Sequence, residues 1–127
     1  MKTHLPVLLL WSSGCADISA IEDAQEYGPV STIQDWFTTS QLLTYSEGHV
    51  LFDAGYRPEK MAQSLETRGV QPSEVTHIFI THGHGDHIGG LELFPQAVVL
   101  GLEAETELIE EESDGIGLLQ PKRERVA

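Results

Sequence analysis

The stretch Thr81-His82-Gly83-His84-Gly85-Asp86-His87-Ile88-Gly89-Gly90 places four metal-capable side chains within six residues. Zinc takes neutral imidazole nitrogens and carboxylate oxygens at about 2.0–2.2 Å in a roughly tetrahedral array, and His82, His84, Asp86 and His87 supply that donor set. His82 and His84, two apart in an extended or looped backbone, project to the same side. Asp86 and His87 follow where the chain turns. Gly83 and Gly85 lack a Cβ, so the backbone can bend tightly beneath the ligands, and Gly89 and Gly90 allow close approach to a neighbour. The spacing suits two adjacent metal positions. A lone histidine is more often a surface or satisfied core residue than a ligand, but His-x-His-x-Asp-His directly after an apolar run is rarely accidental.

The elements that must position these side chains lie on either side. His77 to Thr81 is too apolar for a half-exposed strand and too short for a helix, so a buried strand is expected to end at the first ligand. Upstream, Val30 to Thr38 and Gln41 to Ser46 are rich in β-branched and aromatic residues, and Ser46-Glu47-Gly48 supplies a turn before His49 to Phe52. These read as neighbouring antiparallel strands. Asp53-Ala54-Gly55-Tyr56 closes the set, Pro58 suits the first turn of a helix, and Met61, Ala62 and Leu65 fall at helical spacing before a stop at Gly69. Pro72 to Val75 reads as a turn. Downstream, Gly89 to Phe94 is expected as a short helix, Ala97 to Gly101 as a second buried strand, and Leu102 to Glu112 as a helix. In that helix Leu102, Leu108 and Ile109 would cover the core while the glutamates, Glu105 among them, face water. Ser113 to Gly117 has loop composition, and Pro121 to Arg125 reads as a mixed-charge tail.

The motif and its surroundings resemble the metallo-β-lactamase fold superfamily of hydrolases, which includes glyoxalase II-like thioesterases, lactonases and β-lactamases. Val50-Leu51-Phe52-Asp53-Ala54-Gly55 is similar to the strand and Asp-x-Gly turn that these proteins place before their first helix. Ile78 to Gly90 resembles their metal-binding strand and loop, and Leu93-Phe94-Pro95 with Ala97 to Leu100 the segment after it. The resemblance covers roughly Pro29 to Glu112. It implies an α/β (α+β) class and an αββα-type sandwich, of which this chain would hold the N-terminal half as a mixed sheet with helices on one face. It further implies that His82 and His84 bind a first zinc and Asp86 and His87 a second. Asp86 would also act in catalysis by orienting a metal-bound hydroxide that hydrolyses an ester, thioester, lactone or lactam of a small-molecule substrate. Asp53 would support the site from outside the ligand set or position its loop; equally, it would be a turn residue capping the next helix. Iron is an alternative metal, with oxidoreductase chemistry, because imidazole and carboxylate ligands accept it as well.

The family's second half supplies a third histidine for the first metal, a bridging aspartate and a final histidine. This sequence has no histidine after His87, and its only later aspartate is Asp114. The expectation is therefore a truncated and weakly active or inactive hydrolase; the alternative is a non-catalytic metal-binding or interaction module. An uncovered sheet face would favour a homo-oligomer or pairing with the missing C-terminal half.

Composition narrows the rest. At 127 residues and 14.0 kDa the chain can build one core but not two, and 40% apolar with 21% charged residues describes a globular protein. A formal net charge of −13 speaks against sequence-independent nucleic-acid binding, which uses clustered Lys and Arg to displace phosphate counterions. The single cysteine, Cys15, cannot close an intrachain disulfide. Lys2, the apolar run Leu5 to Trp11 and Ser12-Ser13-Gly14-Cys15 resemble a bacterial lipoprotein signal, implying a membrane anchor through lipidated Cys15 and a cell-envelope or periplasmic location. The alternative is an N-terminal strand, Pro6 to Trp11, in a cytoplasmic protein. The expected organisation is a signal segment over residues 1–15, a polar linker over 16–28, an incomplete metallo-β-lactamase-like domain over 29–112 and a loop and tail over 113–127.

Overall fold

The computed structural model describes residues 23–115 and 123–126, with side chains up to residue 110. The β-branched and aromatic residues between Val30 and Phe52 form an antiparallel meander: β1 (Glu26–Tyr27), β2 (Val30–Asp35), β3 (Thr38–Tyr45) and β4 (Gly48–Phe52). Direction then changes. Helix α1 (Pro58–Thr67) crosses over to β5 (Val75–Ile80), which runs parallel to β4. The four-residue helix α2 (Gly85–Ile88) leads to β6 (Val98–Leu102), and α3 (Thr106–Gly115) leads to β7 (Arg123–Val126), each strand parallel to the one before. The described strands make one seven-stranded sheet in sequence order. Tight turns suffice for the antiparallel part, whereas each parallel step needs a crossover, and that is where the helices fall.

One face of this sheet carries the core. Leu42, Leu51, Ile78, Ile80 and Val99 point toward the helices and meet Met61 and Leu65 of α1, Ile88 of α2 and Ile109 of α3. Pro58 opens α1, and Gly69, at φ 68°, takes the left-handed conformation that ends it. Strand alternation sends Leu43, Val50, Phe52, Phe79, Val98, Leu100 and Leu102 to the opposite face. No described helix covers that face: Phe52 is 37% and Leu102 46% exposed, and the Phe52 and Phe79 rings stand 6.1 Å apart. The expected class, a mixed sheet with helices, is the one observed.

Several boundaries differ from the sequence reading. The first long strand ends at Asp35 rather than Thr38, because Trp36-Phe37 is a two-residue hairpin turn with Asp35 paired to Thr38 and Trp36 at φ 58°. Pairing begins before Pro29, inside the stretch read as a polar linker: Thr32 N–H donates to Gln25 O at 2.8 Å, and the Asp23 carboxylate meets Lys60 and Arg68. Leu102 ends a strand on the open face instead of opening a helix. Helix α3 continues to Gly115 through residues of loop composition, and the mixed-charge tail contains β7. Cys15 and the segment around it lie outside the described residues.

Candidate metal centre

Because β4 and β5 are parallel, their carboxyl ends lie side by side, and the residues that follow them meet there. Asp53 follows β4 and Thr81 follows β5. The Asp53 N–H continues the ladder to Phe79 O at 2.9 Å, after which the chain turns sharply with Asp53 at φ 61°. Aspartate tolerates this left-handed conformation better than most residues, and here it aims a buried carboxylate, 5% exposed, across at the next strand. Its Oδ1 accepts the Thr81 N–H at 2.8 Å. Its Oδ2 accepts the Thr81 hydroxyl at 2.8 Å and faces His87 Nδ1 at 2.8 Å. Asp53 does not cap the next helix: α1 has Arg57 at its N-cap position and no side-chain cap, and the Asp53 contacts run to Thr81 and His87 instead.

An ionised carboxylate can only accept, so His87 donates Nδ1–H to Asp53, and in the neutral ring, the form that binds a metal, the lone pair is then on Nε2. The Thr81 hydroxyl spends its hydrogen on Asp53 and accepts from His82 Nδ1 at 3.1 Å. That leaves His82 with its lone pair on Nε2 as well. Fixing the tautomer of a ligand through its other ring nitrogen is how metal sites orient their histidines.

The loop is held on the rest of the fold by backbone contacts. Ala54 N–H donates to His87 O at 2.7 Å, and Gly89 N–H to Gly55 O at 2.9 Å, so residues 54–55 and 87–89 are laced together. A Cβ on Gly89 would overlap the Tyr56 carbonyl, and one on Gly90 the Ala54 carbonyl, which explains both glycines. Asp35, at the end of β2, fixes residues 56–57. Its buried Oδ2 accepts the Tyr56 N–H at 3.3 Å and the Arg57 N–H at 2.7 Å, while Oδ1 pairs with Arg57 Nε at 2.8 Å and with Nη2. The carboxylate beside it holds the Arg57 guanidinium above its ordinary pKa, first through the hydrogen bond and then through charge. Sequence reasoning missed Asp35. Its signal was a carboxylate on the core-facing side of a strand, a place where charge is seldom found unpaired.

The structure brings the motif's side chains together. The His82 and His84 rings stand 4.8 Å apart edge to face, and His82 and His87 stand 3.9 Å apart. His87 Nε2 lies 3.3 Å from Asp86 Oδ2. Two ligands at about 2.0–2.2 Å on a tetrahedral ion stand roughly 3.3–3.6 Å from each other, so this pair is spaced to share one. Donor types and the Asp86/His87 spacing fit zinc. Among the described residues, however, no group of three or more such side chains converges on a common point. The arrangement is thus a set of paired donors rather than a closed coordination shell.

A mixed sheet with helices on one face and a histidine–aspartate loop at the carboxyl ends of its central parallel strands defines an α+β domain of metal-hydrolase type. Residues 33–125 match the family model described as Metallo-beta-lactamase superfamily, and the chain belongs to that superfamily of metal-dependent hydrolases. It is 50% identical over 70 residues to Metallo-beta-lactamase domain-containing protein 1 of Xenopus laevis, an alignment covering 52% of this chain and 30% of that protein. Ribonuclease Z of Nanoarchaeum equitans is 39% identical over 54 residues, covering 42% of this chain and 16% of the relative. Among solved structures, the metallo-beta-lactamase SMB-1 bound to 2-mercaptoethanesulfonate superposes with a TM-score of 0.66 at 26% identity, over 80% of this chain and 45% of that one. The chain spans less than half the length of each of these relatives. Among the described residues, no helix is long and apolar enough to cross a membrane.

Proposed function

We propose that this chain carries the histidine–aspartate half of a binuclear zinc hydrolase site, with His82 and His84 serving one metal position and Asp86 and His87 the other. The observation that carries this reading is the His87 side chain: Nδ1 is anchored on Asp53 at 2.8 Å while Nε2 stands 3.3 Å from Asp86 Oδ2. Zinc bound there would act as a Lewis acid toward a carbonyl and lower the pKa of a bound water to about 7. The chain's own residues prepare the place. Asp53 and Thr81 would set the tautomers, the lacing of 54–55 to 87–89 holds the loop, and Asp86 would orient a water. A small-molecule ester, thioester, lactone or lactam suits this chemistry. The formal charge of −13 makes a polyanionic nucleic-acid substrate, the kind that the ribonuclease relative's name denotes, a poor match.

Elemental analysis of the purified protein tests the site, with His84→Ala as control. Zinc in the parent and less in the variant is expected; a parent without metal sinks the assignment, and iron in place of zinc redirects it to oxidoreductase chemistry. A second reading, a metal-binding module without catalysis, is favoured by the paired rather than closed donor set. Chelator-sensitive turnover of esters, thioesters, lactones or β-lactams by the 127-residue chain would exclude it. The lipoprotein reading is tested separately, by whether Cys15→Ser abolishes membrane association.

A further inference from the structure

Glu105 lies outside the four donors, yet its carboxylate reaches the midpoint of the histidine loop. Oε2 accepts the Gly83 N–H at 3.1 Å, across 22 residues of sequence. Gly83 is buried between a half-buried His82 and an exposed His84. It rests so closely on the first turns of α3 that a Cβ would stand 2.8 Å from Ile109 N and 3.0 Å from Leu108 Cβ. A buried backbone donor requires an acceptor, and past the end of β5 the Gly83 N–H finds it in this side chain. The segment is thus fixed twice at one point, by a hydrogen bond and by packing.

The consequence falls on the two neighbouring rings. With the peptide between them pinned, His82 and His84 are held on the same side at 4.8 Å. Without it, each ring would sample its own orientation, and a metal would have to order both at the cost of their conformational entropy.

We infer that Glu105 is a positioning residue for the His82/His84 metal position, acting through the Gly83 N–H and not as a ligand. The inference rests on the metal-site reading above. It differs from the effect of Asp53, which reaches both rings, His87 directly and His82 through the Thr81 hydroxyl, whereas loss of Glu105 should touch His82 and His84 and spare His87.

The test uses the full chain with 15N-labelled backbone and histidines, first metal-free and then titrated with zinc chloride. In Glu105→Ala, Gly83 amide exchange should accelerate in the metal-free protein. The zinc midpoint read from the His82 and His84 rings should rise about tenfold, the lower end of what loss of an outer partner costs, while that of His87 moves far less. Glu105→Gln keeps an oxygen acceptor and should restore both readouts, which loss of overall fold would not allow. Unchanged Gly83 exchange or unchanged midpoints in Glu105→Ala overturn the inference. So does a Gln variant as poor as Ala, because the charge or direct ligation would then matter instead of the hydrogen bond. Failure of the metal reading looks different: no ring of the unsubstituted protein responds to zinc, and Glu105's role toward the metal falls with it.

Discussion

Asp53→Asn changes one atom and should rewrite the protonation pattern of the site. The Oδ1 contact to the Thr81 N–H at 2.8 Å survives, because asparagine keeps that acceptor. Oδ2 is the oxygen that serves both the Thr81 hydroxyl and His87 Nδ1, each at 2.8 Å. An NH2 group there opposes two donors. The cheapest relief is for His87 to carry its proton on Nε2 and accept at Nδ1, and for the Thr81 hydroxyl to turn toward His82 Nδ1, 3.1 Å away. Both imidazoles then present N–H where the lone pairs for a metal had been. Two charge-assisted bonds of about 1.5–3 kcal/mol become neutral ones of about 0.5–1.5, so the fold should lose roughly 1–3 kcal/mol and remain assembled. Zinc affinity at the Asp86/His87 position should fall about 10–100-fold, equivalent to about 1.4–2.7 kcal/mol. Long-range 1H–15N correlation of the histidine rings at pH 8, with metal removed, reads the tautomers, and urea denaturation reads the fold. The reasoning is refuted if His87 carries Nε2–H in the unsubstituted protein, or if Asp53→Asn leaves both tautomers as they were.

Asp35→Ala strips acceptors from the Tyr56 and Arg57 N–H groups; at about 1–3 kcal/mol per orphaned donor, urea denaturation should show a loss of roughly 2–6 kcal/mol. Gly89→Ala drives a methyl into the Tyr56 carbonyl and should abolish the cooperative thermal transition or lower its midpoint by well over ten degrees at about 4–8 °C per kcal/mol, whereas Gly69→Ala, which meets nothing within 4 Å, should cost only about 1 kcal/mol for its left-handed backbone. Burial would raise the Asp23 carboxyl, but the Gln34 N–H, Lys60 and Arg68 together hold it below its ordinary value of 3.8. Its contribution is therefore complete above about pH 4 and lost as pH falls through the lowered value, so Asp23→Asn and the parent should differ in stability at pH 7 and converge in acid. Phe52→Asp, on the uncovered sheet face, should reduce self-association in sedimentation velocity; an unchanged distribution would mean that this face does not drive it.

The four motif residues could be singled out from sequence because their chemistry is local: donor types, glycines and a preceding apolar run all fall within a dozen positions. Asp53 was ambiguous because its partners, Thr81 and His87, are 28 and 34 residues away and meet it only once β4 pairs with β5. Trp36 gave no turn signal, since positive φ at that position is ordinarily announced by glycine or asparagine. The acidic run from Glu103 to Glu112 looked uniformly solvated, and composition could not separate Glu105, whose partner is a backbone amide, from Glu103 and Glu107, which are exposed. The strand β7 has only four residues within a charged stretch, so its pairing with β6 is a tertiary fact with almost no local pattern.

The parallel pairing of β4 and β5 also sets when the site can form. Within residues 81–90 His87 is tied only to near neighbours, its N–H to His84 O at 2.9 Å and its Nε2 to Asp86 Oδ2 at 3.3 Å; Nδ1 gains its anchor only when Asp53 arrives, after the α1 crossover has closed and β5 has docked. Non-local pairing of this kind pays its loop-closure entropy before it is rewarded, so it forms the folding barrier, and the histidine loop orders after it. Substitutions in the histidine loop should then leave the folding rate nearly unchanged and speed unfolding, whereas those in the β4–β5 ladder should slow folding itself.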